Sequence, residues 1–437
     1  MSTPTVLAAV RPASAIAASA LLLAWMLNAQ VIGQNKSTLD GRLALVGGTV
    51  YIDPMTDPVR DGVVVIQEGK ITFVGRKGST RIPQDIQIID CAGMTVTAGL
   101  WNSHVHLLQR KWADAATLPS SELTRQLQEM LTQYGFTSAF DTWSMWENTR
   151  RLRDRIESGE IAGPRIRTTG EAIVSKGVAA TPASWAALGF MALEGFQVPR
   201  VTEASEVAIA AKKLLDSGVD GLKFYAATPG RTGVVMPDDV IRAGVKEAHS
   251  RGKPVFAHPT SEAGLLASVR AGVDIVAHTT PQSGPWSQGT LSAMKRAGIA
   301  LIPTLKLWKY EFRHERMSLA DGFVKTAVSQ LRAWVGAGGV VLFGTDVGYM
   351  SEYDPTEEYS LMAEAGMGFP QILASLTTAP ADRFGASTQL GRVAAGFAAD
   401  LTVLRRDPSK DIRALSVVGY TIRDGKVIYR AATSESR

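Results

Sequence analysis

The chain has 437 residues, 45% hydrophobic and 20% charged, with a formal charge of +5. That is the composition of a folded protein long enough for two or three domains, which excludes a disordered or fibrous chain. The cationic surplus is small and no dense Lys/Arg cluster alternates with aromatics, so nucleic acid is not an expected partner. The single cysteine, Cys91, excludes an internal disulfide and reads as a small buried hydrophobe.

Residues 1–29 read as an export signal. Arg11 supplies a positive n-region, Ala13 to Leu27 is an unbroken run of apolar and small residues, and Ala29 offers a cleavage point. As a helix that run is about 22 Å long, short of the roughly 30 Å hydrocarbon core. The expectation is a periplasmic or secreted protein with no stable membrane association once the signal is removed. The alternative is an anchor retained over residues 13–33.

From Gly41 to Met94 the chain is β-rich. Leu43–Val46 and Val63–Ile66 are short strand-forming runs, and Ile71–Val74 follows the turn Glu68-Gly69-Lys70. The C-terminus returns to this texture at Asp400–Leu404, Ser416–Ile422 and Lys426–Tyr429, the last two joined through Arg423-Asp424-Gly425. The two ends predict one split β-sandwich domain built from residues 41–95 and 385–437.

Between them, residues 96–384 repeat strand, loop and helix. The strands are predicted at Val96–Asn102, Phe136–Phe140, Arg165–Thr169, Gly221–Tyr225, Pro254–Ala257, Asp274–Ala277, Ala300–Thr304 and Val340–Gly344. Amphipathic stretches such as 201–216 and 236–248 separate most of them. Eight parallel strands, each followed by a helix, make an α/β fold of the (β/α)8 TIM barrel type, whose reactive residues lie at strand C-termini. The long segment Gly170–Pro199, rich in Gly, Ala and aromatics, is expected to roof the active site.

The first barrel strand ends in His104-Val105-His106. Residues two apart on a strand share a face, and two neutral imidazoles so placed suit a borderline metal such as zinc. His258 ends Pro254-Val-Phe-Ala-His and His278 ends Asp274-Ile-Val-Ala-His, one βα unit apart. Lys223 lies in the apolar fourth strand, where burial lowers the pKa of an ammonium. A neutral amine there is able to take up CO₂ as a carbamate whose two oxygens bridge two cations. Asp346 closes the eighth strand. Tyr225, two residues beyond Lys223 on the same face, either reaches an oxyanion or substrate carboxylate or only packs the barrel. His249 and His314 read as structural, with His314 also within possible reach of substrate.

The order His-x-His, Lys, His, His, Asp on such a fold resembles the amidohydrolase superfamily. The likeness is greatest to the imidazolonepropionase-like branch, with its Xaa-Pro dipeptidases and amidases that cleave aromatic amino-acid amides such as ochratoxin. It runs from about Gly41 to Tyr429 and is carried by Ala98–His106, Glu247–His258, Ala271–His278 and Gly391–Asp400. The resemblance implies that His104, His106 and Asp346 hold one divalent ion, His258 and His278 a second, and carboxylated Lys223 bridges both, zinc being the expected metal. It further implies a bridging hydroxide as nucleophile, with Asp346 moving its proton to the leaving amine. Trp101-Asn102 replaces the branch's usual Ile-Asp, and Thr279-Thr280-Pro281 replaces a Gly-containing turn beside the pocket, which puts a proline dipeptide substrate in doubt.

The expected activity is therefore cleavage of an amide bond in a small N-acyl or peptidyl amino acid carrying an apolar or aromatic group, by a homo-oligomer. The alternatives are a lactonase, phosphotriesterase or cyclic-imide hydrolase of the same fold, or a scaffold without catalysis; Lys223 argues against a one-metal deaminase. Pocket walls are expected from Arg110, Lys111, Trp112, Trp143, Trp146, Arg231, Trp286, Lys306, Trp308, Lys309 and Tyr310, the cations holding a substrate carboxylate.

Overall fold

The strand expected over Val96–Asn102 is in fact two strands. The computed structural model describes residues 42–176, 199–227, 235–312 and 317–432. In it Thr95–Ala98 (β5) belongs to a sheet made by the chain ends, whereas Leu100–Val105 (β6) begins the parallel strands. Gly99 makes the change of sheet, and a Cβ there would lie 2.2 Å from Thr137 Oγ1, so the close approach demands glycine. The expected signal at 1–29, the roof residues 177–198, Arg231 and His314 lie outside the described residues.

The end-built sheet contains β1 (Leu43–Val50), β2 (Val59–Gln67), β3 (Lys70–Arg76), β4 (Gln87–Asp90) and β5, with three late strands numbered below. It is one sheet of mixed sense, with β4 pairing β1 off the main hydrogen-bonded path. β1 runs parallel to β4 and β5 and antiparallel to β2. Two hairpins turn through Glu68-Gly69 and Asp424-Gly425, all at positive φ (50°, 75°, 47° and 73°). Such pairs fit the tight turn whose twist matches that of the strands. Cys91 is fully buried in this domain, and burial pushes its thiol up to about 12, so it is chemically quiet.

The parallel strands fall into two sheets. One joins β6, β7 (Phe136–Asp141) and β8 (Arg165–Thr168). A short pair, β9 (Val174–Ser175) with β10 (Arg200–Val201), precedes the other sheet of β11 (Leu222–Tyr225), β12 (Val255–His258), β13 (Ile275–Ala277), β14 (Ala300–Ile302) and β15 (Val340–Val341). Helices α1 (Ser120–Met130), α2 (Trp146–Glu157), α3 (Ala204–Ser217), α4 (Asp238–His249), α5 (Glu262–Ala271) and α6 (Gln288–Arg296) alternate with them. Then come α7 (Leu305–Glu311), α8 (Met317–Gly336), α9 (Thr356–Glu364), α10 (Phe369–Leu376) and α11 (Thr378–Arg383). The chain returns to the end-built sheet through β16 (Leu401–Leu404), β17 (Val418–Arg423) and β18 (Lys426–Arg430).

Backbone hydrogen bonds also link the segments that follow β8 and β15 to strands of the other parallel sheet. Ile173 N donates to Lys223 O at 2.8 Å and Tyr225 N to Ile173 O at 3.0 Å. At the other edge Ser103 N donates to Phe343 O at 2.7 Å and Asp346 N to His104 O at 2.9 Å. Side chains fill the space between: Phe140 of β7 meets Phe256 of β12 with ring centroids 4.7 Å apart. Every position of β6 and β7 is buried, although half of their residues are polar, among them Asn102, Ser103, His104, Thr137, Ser138 and Asp141. No helix among the described residues is long and apolar enough to cross a membrane.

The last parallel segment reaches its place only because it carries glycines. A Cβ on Gly344 would stand 2.7 Å from His104 Cβ, and one on Gly348, at φ 99°, would stand 1.8 Å from the His106 carbonyl oxygen. Gly348→Ala is accordingly expected to destabilise the fold by about 2–5 kcal/mol, overpacking and left-handed strain together. Its urea midpoint against wild type checks this.

Candidate metal centre

The C-termini of the parallel strands bring the expected residues to one place. At the end of β6, Nε2 of His104 in the strand and Nε2 of His106 just past it are 3.2 Å apart. Asp346 Oδ1 stands 3.2 Å from the first and 2.8 Å from the second. All three side chains are buried and all their ligand atoms lie within 4.8 Å of one another. His278 follows β13 and closes on His104 with centroids 4.8 Å apart, and His258, the last residue of β12, lies 4.5 Å from His278. Lys223 is 1% exposed, and among the described residues its ammonium nitrogen has no hydrogen-bond partner.

A set of unprotonated ring nitrogens packed against a carboxylate is what a divalent cation needs. Ligands about 2.0–2.1 Å from such an ion, spread around it, stand roughly 3 Å from each other. The observed 2.8–3.2 Å edges match, and Asp346 Oδ1 has no aligned hydrogen-bond donor. The residues present therefore fit a metal ion between His104, His106 and Asp346. Burial, and next the charge of Lys223, drives the His104 imidazole down to about 3. Burial likewise holds His258 and His278 well below the usual histidine range. Neutral imidazoles are the ligating form. Burial alone would raise the Asp346 carboxyl, but His104 and His106 outweigh it and keep that carboxyl well below its ordinary range. Burial pulls the Lys223 amine down to about 7 against the opposing pull of Asp346.

The strand ends here are bent in an uncommon way. Thr260, His278, Thr304 and Asp346, which follow β12 to β15, have φ of 51°, 75°, 44° and 62°. Side chains in this left-handed region cost of order 1–3 kcal/mol each and concentrate where a site needs atoms aimed inward. Two ring nitrogens are fixed from behind: His106 Nδ1 lies 3.2 Å from the Trp143 carbonyl, and His278 Nδ1 2.6 Å from Thr304 Oγ1. Asn102 ties the edge together, its Oδ1 accepting from His104 N at 3.3 Å and Thr345 N at 3.2 Å. Thr304 and the structural use of Asn102 escape sequence reading; only the unusual residue before His-x-His hints at the second.

The expected pocket set divides. Trp143 belongs to the site: its ring is 6.5 Å from that of His106 and 5.1 Å from that of Tyr225. Tyr225 in turn stacks on His258 at 4.6 Å, and burial raises its phenol well above the ordinary range, so it keeps its proton. Trp112 and Trp146 are core residues. Trp286 and Trp308 are buried and donate their indole N–H to Thr280 and Thr279, both at 2.8 Å. That turns the Thr279-Thr280-Pro281 hydroxyls toward protein rather than pocket. Lys111 is caged by Trp112 and Tyr353 and donates to Tyr353 Oη at 2.8 Å. Lys306 donates to the carbonyls of Glu352 and Asp354, and Lys309 pairs with Glu357. Tyr310 leans on Tyr349. His249 is structural, 2.9 Å from Asp274 Oδ2.

The chain is similar to proteins of known structure and activity. The chain is 24% identical over 434 residues to the ochratoxinase of Aspergillus niger, covering 86% of this chain and 84% of that protein. A crystal structure of a Xaa-Pro dipeptidase with methionine in its active site superposes with a TM-score of 0.76 at 23% identity, over 89% of this chain and all 100% of that one. A prolidase complexed with N-methylphosphonate-L-proline gives 0.72 at 25% identity, over 89% and 100%. These neighbours share an α/β, TIM-barrel-like fold with a mixed-sheet domain. The profile described as "Amidohydrolase family" matches residues 95–428, so the chain belongs to the amidohydrolase family and is a hydrolase of amide-type carbon–nitrogen bonds.

Proposed function

We propose that the two parallel sheets form the expected (β/α)8 barrel and that its mouth is a two-metal centre for hydrolysis of small amides. His104, His106 and Asp346 would hold one ion, His258 and His278 the other, zinc being the natural choice for an imidazole-rich set. The observation that carries this reading is Lys223: a fully buried amine with no hydrogen-bond partner among the described residues, beside four histidines and an aspartate. Its nitrogen is partly neutral near pH 7 and is suited to adding CO₂, with loss of a proton, which would give a carbamate whose oxygens could serve as metal ligands. Ions bound there would acidify water and polarise the scissile carbonyl.

The chain's own groups supply the rest. Asp346, held ionised, accepts the proton of the attacking water and passes it to the leaving nitrogen. Tyr225, held protonated, offers an O–H toward charge developing on the carbonyl oxygen. Trp143, Tyr225 and Leu108, with Tyr349 packed against them, make an apolar wall beside the centre. That wall supports an aromatic or apolar group on the substrate, as do relatives named as an ochratoxinase and Xaa-Pro dipeptidases. The lysines expected to grip a carboxylate are engaged elsewhere, so recognition is assigned first to the wall.

Lys223→Ala is expected to lose most of the bound metal and most of the activity, read by metal analysis and turnover of a panel of N-acyl amino acids, dipeptides and lactones. Full occupancy with wild-type turnover would remove the bridging role, and preference for lactones would remove the amide reading. Trp143→Ala leaves the backbone carbonyl behind His106 in place. It should lower kcat/KM about 10- to 100-fold for an aromatic amide, the 1.5–3 kcal/mol of a buried large side chain, and far less for an alanine amide. Equal losses on both would show the wall to be plain packing.

The N-terminal signal carries a further part of this proposal, that the hydrolase works outside the cytoplasm. N-terminal sequencing of the protein recovered after export should begin near Gln30; an intact Met1 in the membrane fraction would favour the anchor.

A further inference from the structure

The hydroxyl behind His278 has a fully specified role in the hydrogen-bond pattern. Thr304 Oγ1 is 2.6 Å from His278 Nδ1 and 2.9 Å from the carbonyl oxygen of Pro303. A carbonyl only accepts, so the single hydroxyl proton goes to Pro303. The hydroxyl is then left with lone pairs alone toward the ring, and His278 Nδ1 must bring the proton. In a neutral imidazole that leaves Nε2 unprotonated, with its lone pair free for a cation. His278 is buried, so water does not compete for either ring nitrogen's place in this pattern.

Thr304 could not do this in an ordinary conformation. It is a β-branched residue at φ 44°, ψ 55°, immediately before α7. The next two backbone amides, Leu305 N and Lys306 N, each donate to a separate oxygen of Glu358 at 2.8 Å. Glu358 projects from α9 and is 1% exposed. A carboxylate is acceptor-only, so it grips both amides at once, and this clamp fixes the peptide that follows Thr304. No other role is visible for a carboxylate buried at that point.

We infer that Thr304 is a positioning residue that sets the tautomer and aim of His278, and that Glu358 is the clamp holding Thr304 in place. The device rests on the metal reading only for its purpose; the tautomer itself is a property of the metal-free chain. The nitrogen behind a ligating histidine commonly changes metal affinity 10- to 100-fold when its partner is lost.

The test uses the full chain, first stripped of metal and then titrated with zinc against a chelator. Long-range ¹H–¹⁵N correlation of the metal-free wild type should show His278 with its proton on Nδ1. In Thr304→Val, which keeps the shape and removes the hydroxyl, that signature should shift to the other nitrogen or to a mixture. One of the two zinc ions should then bind roughly 10- to 100-fold more weakly. Thr304→Ser restores the hydroxyl and should return both readouts toward wild type, which a merely structural role would not do. Glu358→Gln replaces one acceptor by a donor and should shift them in the same direction as Thr304→Val. A wild-type His278 with its proton on Nε2 overturns the inference, as does a Thr304→Val protein whose tautomer and zinc affinity are unchanged. A wild type that binds no zinc yet shows the Nδ1 proton refutes the metal reading and leaves the positioning role standing.

Discussion

Asp346 donates its backbone N–H to the carbonyl of His104, and His106 donates its own to the carbonyl of Val347. These two bonds lay the last parallel segment against the first, and the geometry of the centre follows from them. Without that register the carboxylate of residue 346 and imidazoles more than two hundred positions earlier would have no reason to meet. Asn102 reinforces the edge by holding Thr345 through both backbone and side chain. Gly344 and Gly348 lie where any side chain would push the two segments apart. Close backbone approach thus comes before ligand geometry in the physical order of causes.

The electrostatics of the centre follow from its dryness. Polar groups withdrawn from water are unfavourable unless partnered, and the unfavourable term grows steeply for ionised ones. Here the response is to lower the His104, His258 and His278 imidazoles and the Lys223 amine and to keep the Asp346 carboxyl ionised. A hydrolase benefits from the same arrangement, because preorganised dipoles in a dry site act on developing charge without reorganising water. The left-handed residues at successive strand ends are part of that preorganisation, turning side chains inward at positions where an extended strand would point them along its axis.

Recognition is governed differently. The loops beyond the strands carry many cations and tryptophans, but the folded chain uses most of them on itself. The indoles of Trp286 and Trp308 tie down the segment after His278, Lys111 sits in an aromatic cage, and Lys306 neutralises carbonyls of residues 352 and 354. What faces the centre is an arc of rings running from His106 through Trp143 and Tyr225 to His258. A surface of that kind discriminates by shape and apolar area more than by charge.

The alternation of strand and helix, the eight parallel strands and the residues at their C-termini were legible in the sequence. Buried parallel strands need uninterrupted apolar runs, and reactive side chains stand out when they end such runs. The sequence puts His104, His106, His258, His278 and Asp346 at or just past predicted strand ends and Lys223 within one, and the fold gathers them; the tight hairpin turns announced themselves through Glu-Gly and Asp-Gly. The break at Gly99 was not legible, because the run on both sides is equally apolar and only contact with Thr137 requires glycine there. Nor was the division of the loop residues between pocket and core: a tryptophan reads the same whether its ring faces substrate or its N–H is taken by a threonine. Thr304 and Glu358 were invisible for the most general reason. A hydroxyl that meets an imidazole 26 residues earlier, or a carboxylate that grips backbone amides 52 and 53 residues earlier, leaves no local pattern, and only the tertiary fold brings the partners within hydrogen-bonding distance.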